Sequence, residues 1–352
     1  MQRPGQSATA QYLRALPKAE LHLHLEGALR PQLLLALAER NRLRLPFATS
    51  DDFARIYQYR SFKDFANALL LGVACLRKPE DFFDAVKDLG QLLEDDNIRY
   101  AEVTWTPQFY LNRGFALDDL LAAMNSARRD IEQRSGIQIR WIPDLVRSYP
   151  QPAKAVAMWA SSKAARDAGV VALGLGGPEA GHPASSFEPF FTLARNAGLP
   201  ANPHAGEGAG ASSVWDTIRT LRPTRIGHGV RAHEDERLVA YLARERIPLE
   251  VSLTSNIRLG VFPSYEAHPI KDLISAGCVI TLNTDDPVLF GTSLSKEYLI
   301  GIERCGLNLA DIRNSILTAI QSSYLLDGDK KKALLSFKAE FNRLETQQTG
   351  EF

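Results

Sequence analysis

The chain has 352 residues, 45% of them apolar and 23% charged, the balance of an ordinary soluble globular protein. Lys+Arg and Asp+Glu both number 41, so no net charge draws the chain to nucleic acid or to a membrane surface, and neither is expected as a partner. The three cysteines, Cys75, Cys278 and Cys305, form no Cys-x-x-Cys pair, which argues against a disulfide framework and against a thiolate zinc site. With a polar N-terminal stretch and no apolar run long enough to cross a bilayer, the expectation is a cytoplasmic enzyme.

Short apolar segments alternate with longer amphipathic ones. Strands are expected at 20–25, 98–105, 138–145, 169–175, 200–204, 225–228, 248–253 and 278–283. Helical patterns lie at 31–41, 80–96, 117–135, 151–167, 186–197, 213–221 and 234–245, with two further helices from about 308 to 346. Strands each followed by helical material predict parallel strands with crossover connections, and eight such units close a (β/α)8 TIM barrel. A doubly wound open sheet is the alternative that periodicity leaves open. Residues 1–352 are read as one barrel domain, with extra helices over the C-terminal mouth and at the C-terminus. The stretch from Pro46 to Lys78 is long for one connection and carries Phe53, Tyr57, Tyr59, Phe62, Phe65 and Leu69 to Leu71. It reads as a helix packed on the barrel mouth or as a lid over a flat aromatic substrate, and residues 46–78 are carried forward as a lid insertion.

His22 and His24 stand two apart in the first strand, so both imidazoles face the same way. Alone, the pair is a weak signal, commonly a polar surface pair. The chain has only seven histidines, however, and four fall in predicted strands or at their C-terminal ends, where barrel active sites are built. His204 ends the fifth strand and His228 the sixth, while Asp285 and Asp286 close the eighth. Neutral imidazoles with a carboxylate suit one catalytic zinc with a position left for water. His22, His24, His204 and Asp285 are assigned as its ligands. Zinc lowers the pKa of bound water toward neutrality, and His228 would take the water's proton as base and steady the hydroxide.

Glu207 follows His204 by three residues, and Gly206 lets the backbone turn sharply between them. Its bland reading is a salt-bridged surface glutamate. Its functional reading is a buried general acid that protonates N1 of a purine as oxygen attacks C6. Asp286 would hydrogen-bond the ring at N7, although adjacent aspartates are often a solvated turn.

The stretches LPKAELHLHLEGAL (16–29), NPHAGE (202–207), RIGHG (225–229), SLTSN (252–256) and TLNTDDP (281–287) together resemble the adenosine/adenine deaminase family of the metal-dependent amidohydrolase superfamily. The resemblance covers nearly the whole chain and implies a (β/α)8 barrel with one zinc. It implies zinc ligands at His22, His24, His204 and Asp285, a proton donor at Glu207 and a base at His228. It further implies a purine contact at Asp286 and backbone presented to the N3 edge at Gly177. The implied activity is hydrolytic deamination of a 6-aminopurine nucleoside or base. Lysine, which bridges two metals at the end of strand four in other amidohydrolases, has no counterpart in ALGLGGPE (172–179).

Three departures bear on the substrate. Glu26 stands where adenosine deaminases usually carry an aspartate that contacts ribose. GLGGPE replaces a DLAGDE-like segment and resembles the branch that deaminates 6-aminodeoxyfutalosine, whereas HLEG resembles adenine deaminases. SLTSN replaces a Cys-Pro-x-Ser-Asn pattern, which makes Ser255 and Asn256 specificity residues or turn-forming ones. Adenosine, adenine and 6-aminodeoxyfutalosine remain the candidate substrates. The competing readings are an amidohydrolase that cuts an amide, lactone or ester, and a catalytically silent binding protein.

Overall fold

The computed structural model describes residues 8–49, 52–53, 59 and 62–349. Eight strands run through it: β1 (Lys18–His24), β2 (Ile98–Trp105), β3 (Gln138–Val146), β4 (Leu173–Gly176), β5 (Ala201–Ala205), β6 (Ile226–His228), β7 (Leu249–Val251) and β8 (Ile280–Leu282). Each pairs in parallel with the next in sequence order. The last gap closes through the Leu23–Asp285 bridge, where His24 N–H donates to the Asp285 carbonyl at 2.8 Å and Asp285 N–H to the His22 carbonyl at 3.0 Å. The sheet is therefore a barrel, as expected, and the open doubly wound alternative is excluded.

Several of the helices around the barrel begin where side chains bond backbone N–H groups at or just before their first turn. Ahead of Pro79–Asp95, the Asp81 carboxylate accepts from Arg77 N at 2.8 Å and Lys78 N at 3.1 Å, and Pro79 supplies the first helical position. Asn308 and Asp311 cap Leu309–Ser322 reciprocally, the capping-box arrangement. The helix expected at 151–167 is split into Ala153–Ala160 and Lys163–Asp167. Ser162 breaks it, because its hydroxyl accepts from Ala165 N at 3.1 Å and caps the second piece.

Three helices that the periodicity did not announce, Pro107–Leu111, Leu253–Arg258 and Pro287–Phe290, follow β2, β7 and β8 at the mouth. They are one or two turns long, too short to show a period. The SLTSN segment, read as the end of a strand, thus lies mostly in helix. Between Arg40 and Pro79 the helix Phe62–Cys75 lies over the mouth: the Phe65 ring stacks on Phe290 with centroids 5.1 Å apart, and Tyr59 donates to the Leu289 carbonyl at 3.2 Å. Tyr57 falls outside the described residues. Beyond the barrel, Asp327–Thr349 packs against Leu309–Ser322. Among the described residues no helix is long and apolar enough to cross a membrane.

Candidate active site

Four imidazoles meet at the C-terminal end of the barrel. The His22 ring centroid lies 5.3 Å from that of His24, 4.5 Å from His204 and 5.0 Å from His228. One ligand atom each of His22, His204, His228 and Asp285 falls within 4.8 Å of every other, and the same holds for His24, Asp285 and Asp286. Of the four residues assigned as metal ligands, His22, His204 and Asp285 share the first group with His228, while His24 meets Asp285 in the second. Close approach requires Gly227 on β6, since a Cβ there would stand 2.7 Å from His22 Cε1 and 3.1 Å from His204 Cδ2, well inside van der Waals contact.

Hydrogen bonds set which ring nitrogens are bare. His22 Nδ1 lies 3.0 Å from the Glu250 carboxylate and His204 Nδ1 2.9 Å from the Leu175 carbonyl. Both partners can only accept, so both Nδ1 atoms carry hydrogen. The two Nε2 atoms then face each other at 2.9 Å as lone pairs, which repel unless a cation lies with them. His24 Nε2 is buried with no partner among the described residues. Asp285 adds anionic oxygen, 3.3 Å from His22 Nε2 and 3.0 Å from His24 Nδ1. Three imidazoles and one carboxylate, with carboxylate and carbonyl groups orienting the rings from behind, fit a metal ion of the zinc type.

The charges agree. Burial would lower the basicity of His22, but its hydrogen bonds to Asp285 and Glu250 outweigh it and hold the ring at about 9, so a cation is favoured between the two Nε2 atoms, a proton when no metal ion is bound. Burial opposes ionisation of Asp285, yet His22 and His24 keep it well below the carboxylate range. Ser255 Oγ donates to Asp285 Oδ2 at 2.6 Å. Beneath the histidines, Arg225 is buried between Glu250 and Glu102. With His22, Arg225 outweighs burial and brings Glu250 down to about 2, so the group that orients His22 stays ionised.

Glu207 and His228 flank this cluster, with Glu207 Oε1 3.7 Å from His228 Nε2. Burial, reinforced by the Asp285 charge, raises Glu207 well above the usual carboxylate range. The turn carrying Glu207 is held by a residue to which sequence analysis gave no role. The Glu179 carboxylate accepts from Gly206 N at 2.8 Å, from Glu207 N and Ala209 N at 2.9 Å, and from Ser213 Oγ at 2.7 Å. Its signal lay in the GLGGPE segment, but partners 27 or more residues away gave no local clue.

His228 is held from the other side. Ile270 N–H donates to His268 Nδ1 at 3.2 Å, so the His268 hydrogen is on Nε2, where it donates to Asn256 Oδ1 at 3.1 Å. The Asn256 amide then turns its NH2 toward His228 Nδ1 at 3.2 Å, and the His228 hydrogen lies on Nε2, facing the cluster. Asn256 and Ser255 thus support catalytic side chains from behind, and neither lines the cleft.

The cleft itself is lined by Glu207, His228, Asp285 and Asp286, and also by Glu26, Gly177 and Asp144. Phe65, Leu69 and Leu70 of Phe62–Cys75 complete its apolar wall with Phe109 and Tyr149. Asp286 keeps its Oδ1 buried with no partner among the described residues, and burial raises its carboxyl to about 6. Glu26 Oε1 accepts from Thr106 N at 3.0 Å and Tyr110 Oη at 3.1 Å. Asp144, at the C-terminal end of β3, is a cleft residue that sequence analysis missed.

A parallel eight-stranded barrel with buried histidines and aspartates converging at its C-terminal mouth, beside a carboxyl whose ionisation burial opposes, defines a metal-dependent hydrolase. β4 ends in Leu175–Gly176 without a lysine, unlike two-metal members of that class. Residues 17–339 match the family model described as adenosine deaminase, and the chain belongs to the adenosine deaminase family. It is 36% identical over 315 residues to an aminodeoxyfutalosine deaminase of Streptomyces avermitilis, covering 89% of this chain and 88% of that one. It is 34% identical over 334 residues to an adenine deaminase of Caulobacter vibrioides, covering 95% and 96%. A zinc-bound amidohydrolase structure from Burkholderia ambifaria superposes with a TM-score of 0.89 at 28% identity, covering 98% of this chain and 96% of that one.

Proposed function

We propose that this protein replaces the 6-amino group of a purine with oxygen, consuming one water and releasing ammonia. The observation that carries this reading is a cleft in which the paired Nε2 atoms of His22 and His204, a buried glutamate whose ionisation is opposed and a hydrogen-donating histidine face one space. One zinc ion is held by His22, His24, His204 and Asp285, and when bound it supplies the Lewis acidity that makes water nucleophilic near neutral pH.

Glu207 delivers its proton to N1 as oxygen bonds to C6, then carries a proton from that oxygen to the departing nitrogen. N7 of a purine is an acceptor, so Asp286 must bring the hydrogen, and its raised carboxyl suits it to do so. Gly177 presents backbone to the N3 edge. For His228, the hydrogen-bond chain from Ile270 through His268 and Asn256 supports the steadying half of the part expected from sequence more than the base. With hydrogen on Nε2, it steadies the attacking oxygen by donating to it. Helix Phe62–Cys75 covers the flat face of the ring as a lid.

The substrates in view are adenosine, adenine and 6-aminodeoxyfutalosine, small molecules all, with Glu26 on the side of the N9 substituent. The test is loss of 6-aminopurine absorbance with each compound, using protein loaded with zinc and assayed for metal content. Turnover of at least one, with one zinc per chain, is expected. No turnover of any 6-aminopurine would overturn the reading.

A further inference from the structure

Asp144 has no place in the deamination chemistry, yet it is built into the cleft with care. It projects from β3 beside β4, where Gly174 pairs with it in the sheet register. The two glycines of β4 make its room: a Cβ on Gly174 would lie 2.9 Å from Asp144 Cβ, and one on Gly176 would lie 2.6 Å from Asp144 Oδ2. This gives the Gly-Leu-Gly run of β4 a physical purpose. Asp144 is 5% exposed, and its Oδ1 has no hydrogen-bond partner among the described residues. A buried carboxylate oxygen left without a donor costs free energy, and here it lines the cleft.

The neighbours of Asp144 state what it could receive. Glu26 is near enough for its charge to act on Asp144, and its wall-side donors, Thr106 N and Tyr110 Oη, both go to Oε1. Among the described residues lining the cleft there is no lysine or arginine. With no lysine or arginine beside them, these carboxyl groups offer acceptors to a hydrogen-bond donor and no fixed cation to a phosphate, since the nearest positive charge, His24, is turned to Asp285 and Asp286. Beyond them the wall is Phe109, Val146 and Tyr149, which offers no compensation to a phosphate.

We propose that Asp144 is a substrate-contacting residue which, with Glu26, selects 6-aminopurines that present an uncharged or cationic hydrogen-bond donor on the N9 side. That donor is the N9–H of a free base or a hydroxyl of a nucleoside, and nucleoside 5′-phosphates are excluded. The inference rests on the deaminase reading and adds the chemistry of the substituent to it.

The experiment is steady-state kinetics on zinc-loaded protein with adenine, adenosine, 9-methyladenine and adenosine 5′-phosphate, for the wild type and for Asp144→Asn. In the wild type, the faster of adenine and adenosine should exceed both 9-methyladenine and the 5′-phosphate in kcat/KM by about 100-fold or more, the discrimination available to a site built for a donor. Asp144→Asn should cut those preferences by about 10-fold or more, chiefly through KM, since a charge-assisted bond becomes a neutral one. Unchanged ratios in the variant, or a wild type that prefers the phosphate, would overturn this inference while leaving the deaminase reading intact. The wild-type preference alone decides the matter if the variant does not fold. Failure of all four compounds to react overturns the deaminase reading and this inference with it.

Discussion

The two walls of the cleft are made differently. On the wall formed by β1, β5, β6 and β8, nearly every polar atom has a named partner, and the exceptions, His24 Nε2 and Asp286 Oδ1, face the reaction. Glu250, Leu175, Ser255, Asn256 and Glu179 each hold one catalytic group from behind. On the opposite wall, Phe65, Leu69, Leu70, Phe109 and Tyr149 supply area, and polar recognition falls to Glu26 and Asp144. Chemistry needs atoms placed to a fraction of an ångström. Fitting a substituent needs shape and the sign of charge, so that wall is free to vary while the other is not.

Substitutions on the two walls should therefore separate in kind as well as in size. The largest effect is expected at the metal ligands: His22→Ala should lose the bound zinc and reduce turnover by more than about 10³-fold, because the nucleophile depends on the ion. Metal analysis beside kinetics checks this, and a strong chelator should reproduce it in the wild type. Retained zinc with retained activity would break the comparison. Next comes Glu207→Gln, which should keep zinc and lose about 10²-fold or more in kcat, the scale of a general acid. Full activity in that variant would remove the proton-donor role.

A smaller effect should follow from Asn256→Asp. A carboxylate there can only accept, so it would draw the His228 hydrogen to Nδ1 and leave Nε2 bare toward the cleft. We expect kcat to fall about 10-fold with KM and zinc content little changed, and the tautomer to reverse in the imidazole nitrogen resonances. A reversed tautomer with unaltered kcat would return His228 to the role of base. The smallest effect belongs to the apolar wall: Leu69→Ala should raise KM about 3-fold to 10-fold with kcat nearly unchanged, the worth of a few buried methyl groups in a pocket. A fall in kcat there without a change in KM would show that the helix Phe62–Cys75 takes part in the chemistry.

Much of the catalytic wall was legible from residue order. His22 and His24 share a face because strand side chains alternate. His204, His228 and Asp285 could be placed at strand ends, and each expected strand overlaps an observed one to within a few residues, apart from β4. There the expectation began at 169, whereas only Val170 bridges to Trp141 before pairing resumes at Leu173. What failed to show was support and selection. Glu179 looks like one more glutamate after a Gly-rich run, His268 like a lone loop histidine, and Asp144 like a strand-end acid.

By itself, then, the sequence determined the alternation of elements, the shared face of His22 and His24 and the strand ends that carry His204, His228 and Asp285, because those depend on spacing within single strands and turns. Only the tertiary structure decided which nitrogens are bare, which way the His228 hydrogen points and that Asp144 enters the cleft. Those depend on partners brought close by strand register and barrel closure: Glu250 lies 228 residues from His22, and Gly176, which leaves Asp144 its room, is on the neighbouring strand. Local periodicity carries no information about contacts at such separations, while packing and hydrogen-bond satisfaction act on nothing else.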